Sequence, residues 1–395
     1  MTAVAPRTLL IPALFDAHWP LLRWAFESED WHAVVLDSGE GAEALGLRHM
    51  HNDLCYPFIL ISGQVLAALR SGRYDPNRTG VLISQAGDAC RGSCLIRILR
   101  PVLDRAGFPQ VPLLSLNARG LERDAALPVT PSMARRAAAA VLWGDTLLLA
   151  RNQVRPYEAH PGETDALWRR WMDLLSAGLR ENRSLSSHAV LRRCREIAAS
   201  FRAVPTVERQ VQKIAVVGDI YTKYCRLGNW DLETYLAERR CEMAVGGLSW
   251  YALYYMDTHL NDGSRLFRQG ARAVMNRFAV MQAQMVSTLR ESGFTVPPPY
   301  REMKALAAGL TPVSCAVGSG WLLAAETAAW VRAGYRKVLG TLPFGCMPGH
   351  IYGRGQFALL QRSLPGSLIV GVDYDASLRD GTVRTRVQML LDERL

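Results

Sequence analysis

Short apolar runs alternate with helical stretches through the first third of the chain, and that alternation leaves few folds open. Thr8-Leu9-Leu10-Ile11, Trp31-His32-Ala33-Val34-Val35-Leu36, Gly80 to Ser84 and Val111 to Leu116 read as strands. Trp19 to Glu29, Phe58 to Arg70 and Arg91 to Ala106 read as the helices between them. Strands separated by helices predict a parallel, doubly wound α/β sheet. In such a sheet ligands bind at the carboxyl ends of the strands. The turn Gln85-Ala86-Gly87-Asp88-Ala89-Cys90, leaving the strand Gly80 to Ser84, falls there with a thiol at the start of a helix. Backbone N–H groups and the helix dipole stabilise a thiolate in that position.

The rhythm stops at Thr130. Through Phe201 strand signals vanish, and Ala, Arg and helical spacing take over, with Pro131 well placed for a helix start. It resumes at Lys213-Ile214-Ala215-Val216-Val217-Gly218-Asp219, followed by helix at Asp231 to Arg239 and strand at Glu242 to Val245. Helices are then expected at Ser264 to Glu291 and Gly320 to Ala333, and a strand at Lys337 to Thr341. A helix at Gly355 to Arg362, a strand at Leu368 to Val372 and a helix at Thr385 to Leu391 complete the pattern. The expected organisation is an α/β domain over 1–129, a helical linking segment over 130–207 and a second α/β domain over 208–395, in keeping with a length of 395 residues.

Composition narrows the function. The formal charge of +10 comes mostly from Arg, but the basic residues are spread along helical faces and no zinc-finger, RNP or basic-region motif is present, so nucleic acid is not an expected partner. There is no apolar stretch of transmembrane length, and Thr8 to Leu14 is too short for a signal peptide. A soluble, cytoplasmic protein with no membrane partner is the expectation. The chain has no His-x-x-x-His pair, no Gly-x-Ser-x-Gly elbow and no phosphate-binding Gly-x-x-x-x-Gly-Lys-Ser/Thr loop, so it is not expected to hydrolyse ATP by itself.

Eight cysteines remain to be explained, and in such a setting they point to metal or redox chemistry or to plain burial rather than to disulfides. Cys55, Cys90 and Cys346 share one context, a turn after a strand or before a helix, with two in the first half and one in the second. They could converge across an interdomain cleft. Three thiolates from separate loops suit an iron–sulfur cluster with one iron left open, although zinc and simple burial stay open on spacing alone. Cys94 follows Cys90 by one helical turn and is a further ligand, a resolving thiol or, as first-turn cysteines more often are, a packed residue. Cys194 and Cys241 read as core; Cys225 and Cys315 lie in turn-like contexts and stay undecided. Gly318-Ser319-Gly320-Trp321 could receive an anion on its backbone N–H groups, and His350 and Arg354 could meet a phosphate or carboxylate. Asp373-Tyr374-Asp375 brings acid to the same sheet edge, unless it serves as a helix cap.

His51-Asn52-Asp53-Leu54-Cys55-Tyr56-Pro57, the turn Gln85 to Arg91 and Pro343-Phe344-Gly345-Cys346-Met347-Pro348-Gly349-His350 resemble the 2-hydroxyacyl-CoA dehydratase family, closest to the subgroup associated with acyl-CoA dehydratase activases. Val217 to Tyr221, Gly320 to Leu323 with Glu326, and Val372 to Asp375 also match, so the resemblance runs from about Thr8 to Leu391. It implies two flavodoxin-like domains and a [4Fe-4S] cluster near their interface, held by Cys55, Cys90 and Cys346. It further implies an ATP-dependent iron–sulfur activator as electron donor and a CoA thioester whose carbonyl becomes a ketyl radical before water leaves. Cys94 stands where this subgroup commonly has Asn, which leaves room for an enlarged cluster. Relatives with larger clusters reduce small molecules, a second expectation supported by Cys94, Cys225 and Cys315. A third is a non-catalytic accessory protein of an activase, holding zinc or no metal. Dehydratases pair two unlike subunits, so both homodimer and heterodimer stay open.

Overall fold

Eight strands form two sheets of four in the computed structural model, which describes residues 6–36, 39–116, 127–259, 265–377 and 380–394. The first sheet holds β1 (Arg7–Ile11), β2 (Trp31–Val35), β3 (Thr79–Ser84) and β4 (Leu113–Leu116) in the order β2-β1-β3-β4. The second holds β5 (Gln212–Gly218), β6 (Cys241–Val245), β7 (Lys337–Pro343) and β8 (Leu368–Tyr374) in the equivalent order β6-β5-β7-β8. Every pairing is parallel. This is the flavodoxin-like arrangement twice over, so the strand order reverses at β1/β3 and again at β5/β7. Central strands covered on both faces must be apolar throughout. Val81, Leu82 and Ile83 of β3 and Ala215, Val216 and Val217 of β5 are all buried accordingly.

Helices Pro131–Val154, Glu163–Arg180 and Ser187–Arg202 form the segment between the sheets. Thr130 and Ser186 cap two of them by accepting the N–H groups of Met133 and Ala189, both at 3.2 Å. Pro131–Val154 is buried continuously from Ala139 to Ala150, with a carboxylate, Asp145, in the middle. Fully enclosed, Asp145 lies 2.7 Å from His18 Nε2 and accepts the N–H groups of Leu248 (2.6 Å) and Ser249 (2.9 Å). One buried carboxylate thus joins the N-terminal half, the helical segment and the helix Leu248–His259 of the second half. The halves also share apolar core: Leu10, Val81 and Ile83 belong to one buried cluster with Ile214, Val216, Leu339 and Val372.

Several elements differ from expectation. The helix expected over Trp19 to Glu29 is only Trp19–Leu22 plus a 3-10 turn, Arg23–Ala25. Glu27 turns back to accept the N–H of Ala33 at 2.8 Å, which ends the helical path. The stretch before Cys55, expected as loop, contains a helix, Ala42–His49. Its Gly46 and the facing Gly63 allow it to pack directly on the helix Tyr56–Arg70: a Cβ on Gly63 would stand 1.7 Å from the Ala42 carbonyl oxygen. The Gly63→Ala variant is therefore expected to lose about 1–3 kcal/mol in thermal unfolding. Gly178→Ala serves as the control, since the nearest atom to its Cβ is 3.9 Å away and it should be neutral or stabilising. Among the described residues no helix is long and apolar enough to cross a membrane.

Candidate functional site

Each of the three loop cysteines immediately precedes or closely approaches the start of a helical turn at the carboxyl edge of the sheets. Cys55 directly precedes the helix Tyr56–Arg70. Cys90 precedes the 3-10 turn Arg91–Cys94, and the N–H of Gly92 donates to its sulfur at 3.3 Å. Cys346 follows β7 and lies before the wide helical turn Gly349–Arg354, with the Gly349 N–H donating to its sulfur at 3.4 Å. All three are half-buried.

The environments are shared as well as similar. Burial pushes the Cys90 thiol up to about 12, against the Gly92 N–H, with Asp219 and Asp88 adding to the rise. Burial raises Cys55 further, and the Asp219 carboxylate and the Cys90 sulfur add to it. Burial likewise raises Cys346; Asp219, Cys55 and Cys90 all contribute. The fold therefore brings one cysteine from each of three loops, two from the first half and one from the second, into one another's electrostatic reach around Asp219.

Asp219 is placed by a backbone constraint. Gly218, at the end of β5, has φ 139 and lies so close to β7 that a Cβ would be 2.0 Å from the Thr341 carbonyl oxygen. The carboxyl that follows accepts the Tyr221 N–H at 2.9 Å, and burial raises its pKa against that bond.

Asp88 supplies the second carboxylate. Its Oδ1 accepts the N–H of Cys90 at 2.7 Å, its Oδ2 accepts the N–H of Gly318 at 2.8 Å, and His259 Nε2 lies 3.3 Å from Oδ2. Burial works to raise this carboxyl, but His259 and the Gly318 and Cys90 N–H groups outweigh it and hold it below the usual value. The anion expected at Gly318 to Trp321 is thus supplied by the chain itself. Two further N–H groups of that turn are also engaged, Gly320 with Val317 O (3.1 Å) and Trp321 with Cys315 O (2.7 Å).

Sequence reasoning missed Asp88, Asp219 and the helix Leu248–His259. That helix stacks Tyr251 on Tyr255 (6.5 Å) and Tyr255 on His259 (4.5 Å) along one face. Tyr251, raised far up by burial, also feels Asp88, Asp219 and Cys90. The spacing of four was a signal, but Trp250, Tyr254 and Leu253 on other faces are buried too, so no polar side marked the helix.

The other candidates separate clearly. Cys94 is exposed, and Cys194 and Cys241 are buried, as expected of core residues. Cys225 is fully buried beside Tyr221 and Asp16. Cys315 is half-buried and bears on Tyr254 and Tyr352, both of which also sense Asp88. His350 accepts the N–H of Gly345 at 3.2 Å, and Arg354 is paired with Asp373, so neither is held ready for a phosphate. Asp375 accepts the N–H of Ser377 at 2.7 Å.

A cleft of about 210 Å³ opens beside the thiols, between Asn52 to Leu54, Arg91, Phe344 and Asp375. A second, of about 280 Å³, shares Phe344, Asp375 and Ser377 with it and continues to Arg386. Phe344, Met347 and Ile351 are 59%, 47% and 52% exposed around Cys346, so the site has an apolar rim.

An iron–sulfur cluster fits this donor set. The thiols are soft, they arrive on three separate loops, and N–H groups point at two of the sulfurs. Thiolates on one zinc ion, bonded at about 2.3 Å, must crowd together far more closely than thiolates on different irons of a cluster. Among the described residues no group of three His, Cys, Asp or Glu is arranged to hold a metal ion. Bound as thiolates beside Asp219, the three would concentrate negative charge that a cationic core would balance. No family model matches the chain, and no curated protein matches it.

Proposed function

We propose that this chain is an iron–sulfur protein of the 2-hydroxyacyl-CoA dehydratase type, with Cys55, Cys90 and Cys346 holding a [4Fe-4S] cluster. In the cytoplasm it would take a low-potential electron from an ATP-dependent iron–sulfur activator and use it for radical dehydration or reduction of a CoA thioester-like substrate. What supports this reading most is that the three loop thiols, two from the first half and one from the second, lie within electrostatic reach of Asp219. When bound, the cluster supplies one-electron chemistry at low potential.

The chain's own residues give that chemistry its setting. Gly92 and Gly349 donate N–H groups to two of the sulfurs, which stabilises them as thiolates. Tyr251, its ring 5.8 Å from that of Tyr254, lies within electrostatic reach of Asp88, Asp219 and Cys90. The cleft lined by Arg91 and Phe344 also has Leu54, Tyr56 and Gly345 in its wall, the chain neighbours of Cys55 and Cys346. Cys315, alone among the undecided cysteines, stands on the side of Asp88, and it is the residue on which a larger cluster and a small-molecule reductase reading would rest.

The reading is tested by mixing anoxically purified protein with an ATP-dependent iron–sulfur activator of the resembled family and following the paramagnetic signal of the reduced cluster. The signal is expected only with activator and ATP together. A protein that holds a cluster yet is never reduced under those conditions would refute the electron-acceptor role.

A further inference from the structure

We propose that Asp88 is the positioning residue that sets the Cys90 thiol in register with Cys346, acting from the first half of the chain on the second. The loop carrying Cys90 is closed on itself: the Asp88 N–H donates to Ser93 Oγ at 2.9 Å, and the Ser93 hydroxyl donates to the Asp88 carbonyl at 2.7 Å. Such a loop moves as a unit, so its placement depends on whatever ties it to the rest of the protein. The Asp88 side chain provides that tie, with one oxygen on the Cys90 N–H and the other on Gly318 and His259.

The far side of the tie leads to the third thiol. Gly318 has φ +60 and faces Pro348, where a Cβ on the glycine would stand 2.8 Å from the proline Cβ. Pro348 lies two residues beyond Cys346, whose own loop is held by the Gly349 N–H. A continuous path therefore runs from Cys90 through Asp88 and Gly318 to the Cys346 loop. His259 is itself fixed, stacked on Tyr255 and with Nδ1 3.1 Å from the Tyr255 carbonyl. A carboxylate accepting several bonds at once holds a loop more firmly than neutral acceptors do. It does so here although its charge opposes a neighbouring thiolate, which indicates that placement outweighs charge at this position.

The role in cluster assembly rests on the function proposed above, so the test has one arm that needs no metal. In anoxic, metal-free, reduced protein, alkylation of each cysteine by iodoacetamide is followed by peptide mass spectrometry in the natural protein, Asp88→Asn and His259→Gln. Freeing the loop of charge-assisted bonds should speed Cys90 by about tenfold in Asp88→Asn, with His259→Gln changing it less and Cys55 and Cys346 unchanged. In protein loaded with iron and sulfide, Asp88→Asn should shift the midpoint potential or the paramagnetic signature, which mere loss of stability would not do. An unchanged Cys90 rate, or an equal rise at all three thiols, overturns the proposal. If the natural protein takes up no iron, the cluster reading falls while the alkylation arm still decides the role of Asp88.

Discussion

Replacing Cys90 by serine is expected to strip this protein of most of its iron, while replacing Cys94 by serine leaves the iron in place. The two residues are one helical turn apart, yet their surroundings differ. Cys90 is half-buried, accepts the Gly92 N–H and lies within the field of Cys55, Cys346 and Asp219; Cys94 is exposed. A serine at position 90 offers a harder, far more weakly acidic oxygen to a soft metal centre, and only two thiolates remain. Cys55→Ser and Cys346→Ser should behave as Cys90→Ser does, because each loop supplies a single anchor. Cys225→Ser should retain iron and show its effect in stability instead, since that thiol is fully enclosed in the core. Iron determination on anoxically purified variants of matched purity measures all five. Iron retained in Cys90→Ser at the natural level would remove this residue from the ligand set.

The second large effect lies behind the site. Lys223 and Glu326 form an ion pair at 2.8 Å with side chains only 3% and 2% exposed. Lys223 sits one turn after Asp219, and Glu326 lies on the helix Gly320–Arg332 that starts beside Gly318, so the pair ties the two carboxylate-bearing corners together. Gly246 makes the room, since a Cβ there would be 2.4 Å from Glu326 Oε1. Lys223→Met abandons a carboxylate in the interior and should cost about 3–5 kcal/mol, because breaking one side of a buried pair leaves an uncompensated charge. That is a large part of the roughly 5–15 kcal/mol that stabilises a typical domain. The double variant Lys223→Met with Glu326→Leu removes both charges and should recover most of the loss. Chemical denaturation of the two variants checks this; equal instability in single and double variants would show that packing, not charge, is at stake.

The parts of the fold that were legible in sequence are those governed by local pattern. The strands β1, β3, β5 and β7 are largely apolar runs because both faces of a parallel sheet are covered, and their parallel direction follows from the helices between them. Cys90 and Cys346 stood out for the same reason, since turns at strand ends are where such a sheet presents side chains, and Cys55 stood out because it precedes a helix start. Ala42–His49 was missed in sequence, and in the structure its Gly46 is the contact point with the next helix. Asp88 was in plain view, but its partners His259 and Gly318 are 171 and 230 residues away, and no local pattern encodes that pairing. The glycine turn at Gly318 to Trp321 is largely a tight turn closed on its own carbonyls, with the Gly318 N–H alone shown on a carboxylate, that of Asp88.

The central claim is that three loop thiols hold one iron–sulfur cluster between two flavodoxin-like domains. Iron, acid-labile sulfide and zinc measured together on protein purified without oxygen test it most directly. About four irons and as many sulfides per chain are expected for a single cubane, with little zinc, and both are expected to be lost on exposure to air. Stoichiometric zinc, or a metal-free protein with Cys55, Cys90 and Cys346 all present as free thiols, would contradict it.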